Sequence, residues 1–377
     1  EKVSGFMEKS SWIRKMFEEG IRLKQEFGEE NVFDLSLGNP VMEPPEEVRK
    51  ALVESARDES PGLHRYMPNA GFADVRAVIA ESLSAECKVE LSANDVVMVC
   101  GAAGGLNITL KTLLDPGDEV IIFTPYFVEY LFYADNHGGK AVPVPTGDDF
   151  RLDFTALKNA LNEKTKAVII NSPSNPTGRV EAIDTLKKIE AITSELGVYV
   201  LSDEVYKDLI YVRENYLIAG PHVVTINSFS KTFAMCGFRV GYLWSLDQEL
   251  VQETIAIKTH TSMNTNILGQ EMALAATSVP VSFIEEQLEV WRQRRDLIYQ
   301  GLLDLGLELW KPEGAFYVMP KVEDPEDFVW DLYERYNTIT YLGEWFGAPD
   351  RVRLSYALDV DKIEEGLQRI GQYLKSR

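Results

Sequence analysis

The chain has 377 residues, 45% of them hydrophobic, and a formal net charge of −21 at pH 7. That length and apolar content suffice for a sizeable buried core and predict two domains. The acidic excess excludes nucleic acid and anionic membrane as partners, because both need a cationic surface. Three cysteines, Cys87, Cys100 and Cys236, are too few for a disulfide framework, and the expected location is the cytoplasm. No apolar run reaches membrane-span length, the N-terminal stretch does not read as a signal peptide, and no repeat or Gly/Ser linker interrupts the chain.

In chain order, the first expected element is a helix between Lys9 and Glu30, with Ile13, Met16, Phe17, Ile21 and Leu23 available for an apolar face. Asp95–Cys100 reads as an apolar strand, and Gly101-Ala102-Ala103-Gly104-Gly105 then opens a helical segment through Leu106–Leu114. A glycine-rich junction from strand to helix is the geometry of a phosphate cradle. Its G-x-x-G-G spacing is not the G-x-G-x-x-G of a dinucleotide site, and no G-x-x-x-x-G-K-[ST] occurs anywhere. Strands follow at Glu119–Thr124, Lys140–Pro145, Lys166–Ser172 and Val198–Asp203, separated by helical segments such as Ala182–Leu196. Apolar strands alternating with helices predict a mostly parallel sheet covered on both faces. Val223–Asn227 and Arg239–Trp244 lie too close in sequence for a helical crossover, so their pairing is expected to be antiparallel. Val281–Leu305 reads as one long amphipathic helix leading into a smaller domain. That domain has strands at Ala315–Pro320 and Arg351–Tyr356 and a closing helix at Asp361–Leu374.

Chemistry concentrates at Ser228-Phe229-Ser230-Lys231. An ammonium buried directly after an apolar strand carries a large desolvation cost. Covalent attachment to an aldehyde removes that charge and makes the lysine functional. Arg239, eight residues on, offers a planar donor suited to a phosphate dianion. Upstream, Asn175-Pro176-Thr177-Gly178 follows one buried strand, and Asp203 ends the next, with Tyr206 three residues later.

The N-P-x-G, D-x-x-Y and S-x-S-K motifs, with the following arginine, occur in one order across most of the chain, from Leu37 to Ala357. In this order the chain resembles the class I and II pyridoxal phosphate (PLP)-dependent aminotransferases of fold type I, and most of all their aspartate aminotransferase branch. The resemblance implies an α/β fold with a mostly parallel seven-stranded sheet flanked by helices, plus a smaller α/β domain. It places a large PLP-binding domain at 45–285 and a small domain at 1–44 and 286–377.

By the same resemblance, Lys231 holds the cofactor and moves the reacting proton, while Asp203 keeps the ring nitrogen protonated. Asn175 and Tyr206 donate to the ring's phenolate oxygen, and Phe127 stacks on the ring. Gly101, Ala102 and Ala103 offer backbone amides to the phosphate, with Ser228, Ser230 and Arg239 beside them. Tyr66 reaches that phosphate across a homodimer interface, so the two copies share their active sites. Arg353, with Gly38 and Asn175, takes the substrate α-carboxylate, and Arg351 is its decoy. The implied reaction is ping-pong transfer of an amino group from an L-amino acid to a 2-oxo acid.

The donor side chain stays open. Glu253 to Gly269 contains no arginine to read a second carboxylate; Lys258 and His260 are the nearest cations, and both read as surface residues. Aromatic or aliphatic donors, and β-elimination from a cysteine conjugate on the same fold, remain alternatives, because such sites share their Lys, Asp and Arg. A ligand-sensing domain is a more distant one, since the chain has no basic segment for an added DNA-binding module. His64, His137, His222 and His260 show no metal-ligand spacing, and no Ser-His-Asp order points to a hydrolase.

Overall fold

Runs rich in Val and Ile become strands here because branched side chains suit a pleated surface buried on both faces. The computed structural model describes residue 16, residues 18–212 and residues 216–377. Its strands are β1 (Phe33–Asp34), β2 (Val96–Val99), β3 (Glu119–Thr124), β4 (Lys140–Pro145), β5 (Thr165–Asn171), β6 (Tyr199–Asp203), β7 (Val223–Ser228), β8 (Gly241–Ser245), β9 (Tyr317–Val318), β10 (Thr338–Ile339), β11 (Tyr341–Leu342) and β12 (Val352–Ser355). Seven of them form one sheet in the order β2-β8-β7-β6-β5-β3-β4. Only β8 runs against its neighbours, β2 and β7. The expected antiparallel pair is therefore present within an otherwise parallel sheet.

Alternation along the strands divides the core. Val97, Val99, Ile169, Leu201 and Ile226 pack under the Gly101–Leu113 helix. Val96 and Met98 face the Ala73–Cys87 and Ile267–Thr277 helices on the other side. Val168, Ile170 and Val200 meet Leu186 and Ile189 of the Ile183–Glu195 helix.

Strand direction positions the site. The C-terminal ends of β2, β3, β5, β6 and β7 share one edge of the sheet, where open α/β folds bind their ligands. Antiparallel β8 begins at that edge, so Arg239, just before it, arrives there too. Gly241 is paired with both Val99 and Ser228, which brings three chain segments together at one point.

A second core surrounds the antiparallel set β11-β12-β9. Trp291 of the Val281–Asp304 helix, Phe316, Leu354, and Ile363 and Tyr373 of the Val360–Lys375 helix are all buried in it. β1 pairs in parallel with β10. Residues 18–27 are helical, as expected, while the part of the expected N-terminal helix that includes Ile13 and Phe17 lies outside the described residues. Met16, Gly20 and Leu23 are buried at helical spacing, whereas Ile21 is 45% exposed. Ile21 does not belong to the buried face, because its five-residue offset from Met16 turns it about 140° away. The expected strand Ala315–Pro320 contracts to β9, since Ala315 has φ +53° and cannot continue the pleat.

Candidate active site

At the C-terminal edge of the sheet, a cavity of about 400 Å³ is lined by Gly38, Ala102, Ala103, Phe127, Asn175, Asp203, Tyr206, Ser228, Ser230, Lys231, Arg239 and Arg353. Twelve of the fourteen residues singled out from the sequence thus share one wall. Gly101 lies just behind it. Tyr66 does not reach the cavity: it is 89% exposed beside a separate surface hollow.

Lys231 follows β7, and its Nζ donates to the Gly38 carbonyl at 2.7 Å. The resemblance gave Gly38 a part in holding the substrate carboxylate; its carbonyl, in addition, receives the lysine. A Cβ at Gly38 would collide with the Tyr317 hydroxyl, so only glycine fits this approach. Asp203 ends β6, is 5% exposed, and accepts a 2.7 Å bond from the Tyr130 hydroxyl. Burial pushes its pKa up to about 6, against the opposing pull of Tyr130, the Val205 amide and Lys231. A carboxylate held this way is short of a cationic partner.

The Gly101–Leu113 helix opens with Gly101 at φ +69°, and no side chain caps its first turn, so its leading N–H groups have no side-chain acceptor. A Cβ at Gly101 would lie 2.8 Å from Nη2 of Arg239. Arg239 is itself at φ +53°, is exposed, and donates to the Cys236 carbonyl at 2.9 Å. Ser228 and Ser230 hydroxyls are 2.8 Å apart beside it. Uncapped amides, two hydroxyls and a guanidinium around a glycine hollow form a cradle for a phosphate.

On the other side, Arg353 of β12 is buried and donates to Asn175 Oδ1 at 3.0 Å and the Ser36 carbonyl at 2.6 Å. Its Nε has no partner, although it is buried. Rings of Tyr317, Tyr341 and Phe346 lie within 4.9 Å of the guanidinium carbon. A buried guanidinium with an unspent donor among aromatic rings fits a planar carboxylate. Arg351, the decoy, turns away: it donates to the Met319 carbonyl and stacks on Phe150.

Sequence reasoning missed several wall residues. Tyr130 is one helical turn from Phe127, a signal that could have pointed to it. Tyr317, whose hydroxyl is 3.0 Å from that of Tyr206, gave no local signal, because 111 residues separate the two. Asn171 braces the site by donating to the Asp203 carbonyl at 2.9 Å and accepting from the Asn175 amide at 2.7 Å. Lys258 overturns its reading as a surface residue: it is fully buried and absent from the cavity wall, while His260 is exposed. Among the described residues, no group of three or more His, Cys, Asp or Glu is placed to hold a metal ion.

The model of the family described as aminotransferase class I and II matches residues 30–370. The chain belongs to the class I and II aminotransferases. Within this family it is similar to the aspartate aminotransferase of Bacillus subtilis (strain 168), at 32% identity over 364 residues and 92% of each chain. It is 33% identical to the aspartate aminotransferase of Pyrococcus abyssi (strain GE5 / Orsay), covering 97% of this chain and 96% of the relative. Among solved structures, the aspartate aminotransferase from Thermotoga maritima superposes with a TM-score of 0.90 at 31% identity, over 96% of each chain. An aromatic aminotransferase from Pyrococcus horikoshii OT3 gives 0.87 at 32%, over 92% of this chain and 96% of that one. The protein is an aspartate-aminotransferase-like, PLP-dependent transaminase of fold type I that moves an amino group from an L-amino acid to a 2-oxo acid. The cradle, the buried Asp203 without a cationic partner and the lysine in the same cavity fit that cofactor.

Proposed function

We propose that Lys231, Asp203 and Tyr206 carry the catalysis and that Arg353 binds the α-carboxylate common to every donor. Bound in the cradle, PLP supplies an electron sink for the carbon that bears the amino group. Lys231 Nζ moves the proton of that carbon, and its contact with the Gly38 carbonyl holds it at the cavity floor. Asp203 keeps a proton on the ring nitrogen through a charge-assisted bond, and Tyr130 holds the carboxylate in place. Tyr206 and Asn175 would donate to the ring's phenolate oxygen, and Phe127 would stack on the ring, since all three line the cavity. Gly101, Ala102, Ala103, Ser228, Ser230 and Arg239 take the phosphate, and Gly38 and Asn175 flank the substrate carboxylate.

The observation that carries this reading is that buried Arg353, with a donor left unpartnered, lines the same cavity as Lys231 and Asp203. A substrate panel with 2-oxoglutarate tests it. Arg353→Ala is expected to raise KM about 100-fold for every amino acid, since two bonds to a charged group are worth about 3 kcal/mol together. Arg353→Lys should recover little of this, because an ammonium cannot reproduce the planar two-bond grip. Loss confined to acidic donors would mean that Arg353 reads the side chain instead. Release of pyruvate and ammonia rather than a new amino acid would favour elimination.

Donor choice has two readings. Kinship with aspartate aminotransferases favours a dicarboxylic donor. Aromatic donors are favoured by the wall itself. Among the described residues its cations are Lys231, Arg239 and Arg353, all with other duties, and Tyr133, Tyr317, Tyr341 and Phe346 provide apolar surface. Glu129, also in the wall, has its pKa raised by burial and offers no cation to a second carboxylate.

Exposed Tyr66 supports a homodimer in which each copy lends this tyrosine to the other's phosphate cradle. We also propose domains at 45–285 and at 1–44 with 286–377, supported by the separate cores of the large sheet and of β11-β12-β9. A cytoplasmic location is supported by three cysteines that form no disulfide.

A further inference from the structure

Lys258 is a buried charge that the proposed mechanism does not use. It lies in the last turn of the Gln248–Thr259 helix and is 0% exposed. Among the described residues no carboxylate is within ion-pair distance of it. Its Nζ instead donates to two backbone carbonyls, Asn69 at 2.6 Å and Met263. Burial pulls its pKa down to about 8. Burying an ammonium without a carboxylate is costly, so the contact it makes must secure something the fold needs.

The two carbonyls belong to different loops, and neighbouring residues tie the same loops together. Asn69 Nδ2 donates to Thr259 Oγ1 at 2.5 Å. Asn264 Nδ2 donates to the carbonyls of Met67 at 2.9 Å and Pro68 at 3.1 Å. Gln270 joins both ends, donating to the Thr265 carbonyl at 2.9 Å and accepting from the Phe72 amide at 2.8 Å. The product of all this fastening is an exposed surface: a hollow between residues 64–67 and 262–267 with Tyr66 standing in solvent. Loops that only cover a core do not need a buried ammonium to hold an exposed tyrosine in place.

We infer that Lys258 is a positioning residue that fastens the Tyr66 loop to the 261–265 loop, so that one copy presents a finished half-site to the other. This rests on the shared-site homodimer proposed above. Lys258 therefore acts on the partner's active site, not on its own.

Mixed dimers test that direction. Lys258→Met keeps the aliphatic stem and removes every donor. Titration of the apoprotein with PLP should show affinity weakened about 10-fold, the worth of one lost bond to the phosphate. Lys231→Ala chains are inactive but lend an intact half-site. Mixed with Lys258→Met chains at a PLP concentration too low to fill Lys258→Met dimers, they should restore about a quarter of wild-type turnover per chain, since random pairing makes half the dimers hybrid with one sound site each. The restored sites should also bind PLP with wild-type affinity.

Tyr66→Phe mixed with Lys231→Ala is the control. If that control recovers activity and the Lys258→Met mixture does not, Lys258 serves its own site and the inference is overturned. If neither recovers and the chain sediments as a monomer, the shared-site reading fails first and takes this one with it. Unchanged PLP affinity in Lys258→Met also overturns it. Should Lys258→Met fail to fold, Asn264→Ala cuts the same tie from the solvent side and is judged by the same outcomes.

Discussion

Asp203 and Glu204 are adjacent carboxyls at the end of β6, and the fold treats them differently. Asp203 faces the cavity with Tyr130 and Lys231 near it. Glu204 points the other way: it accepts from the Ser202 hydroxyl at 2.6 Å, and its second oxygen is buried without a partner. Burial pushes its pKa up to about 8. The folded protein therefore holds a proton that the unfolded chain gives up near pH 4.5. The resulting stabilisation is complete below about pH 4.5 and is lost as pH rises through about 8. Glu204→Gln keeps the neutral form at every pH. Thermal melts of the apoprotein should show little difference at pH 5, and at pH 9 the variant should be the more stable by on the order of a few kcal/mol. Parallel wild-type and variant curves across that range would show that Glu204 is ionised in the fold.

Among the elements, the junction of β2 with the Gly101–Leu113 helix shows how far local sequence reaches. Glycine clustering after an apolar strand pointed to a phosphate cradle, and the helix does open at Gly101 without a side-chain cap. The sequence could not show that Gly101 would adopt φ +69°, nor that Arg239 would fill the space where a Cβ belongs. Alanine at 101 meets both problems. The backbone strain alone is worth about 1–2 kcal/mol, and the guanidinium has to retreat from the cradle. Gly101→Ala should therefore fold with a melting temperature lowered by several degrees, and PLP titration should show affinity weakened about 10-fold or more. An unchanged dissociation constant would move the phosphate away from this hollow.

For the whole molecule, a net charge of −21 means that two copies repel at long range. The proposed dimer must overcome that repulsion through local contacts. Raising salt from about 10 mM to about 150 mM shortens the screening length from about 30 Å to about 8 Å. Sedimentation should therefore show tighter association at the higher salt. Weaker association would mean that pairs of opposite sign across the interface dominate the overall charge.

The sequence by itself determined the seven strands of the large sheet, their parallel run with one reversal, and the positions of Lys231, Asp203, Asn175 and Arg353 within their motifs. These features depend on alternation, connection length and spacing over a few dozen residues, which a chain records locally. Only the tertiary structure decided that Tyr130 would brace Asp203, that Tyr317 would meet Tyr206, and that the Gly38 carbonyl would receive Lys231. It also decided that Lys258 would be buried rather than exposed, against the reading of its neighbourhood as surface. Its two hydrogen-bond partners explain that reversal: Met263 is five residues away, but Asn69 is 189. A polar side chain's burial is set by the groups that come to satisfy it, and those groups arrive only when distant segments pack together.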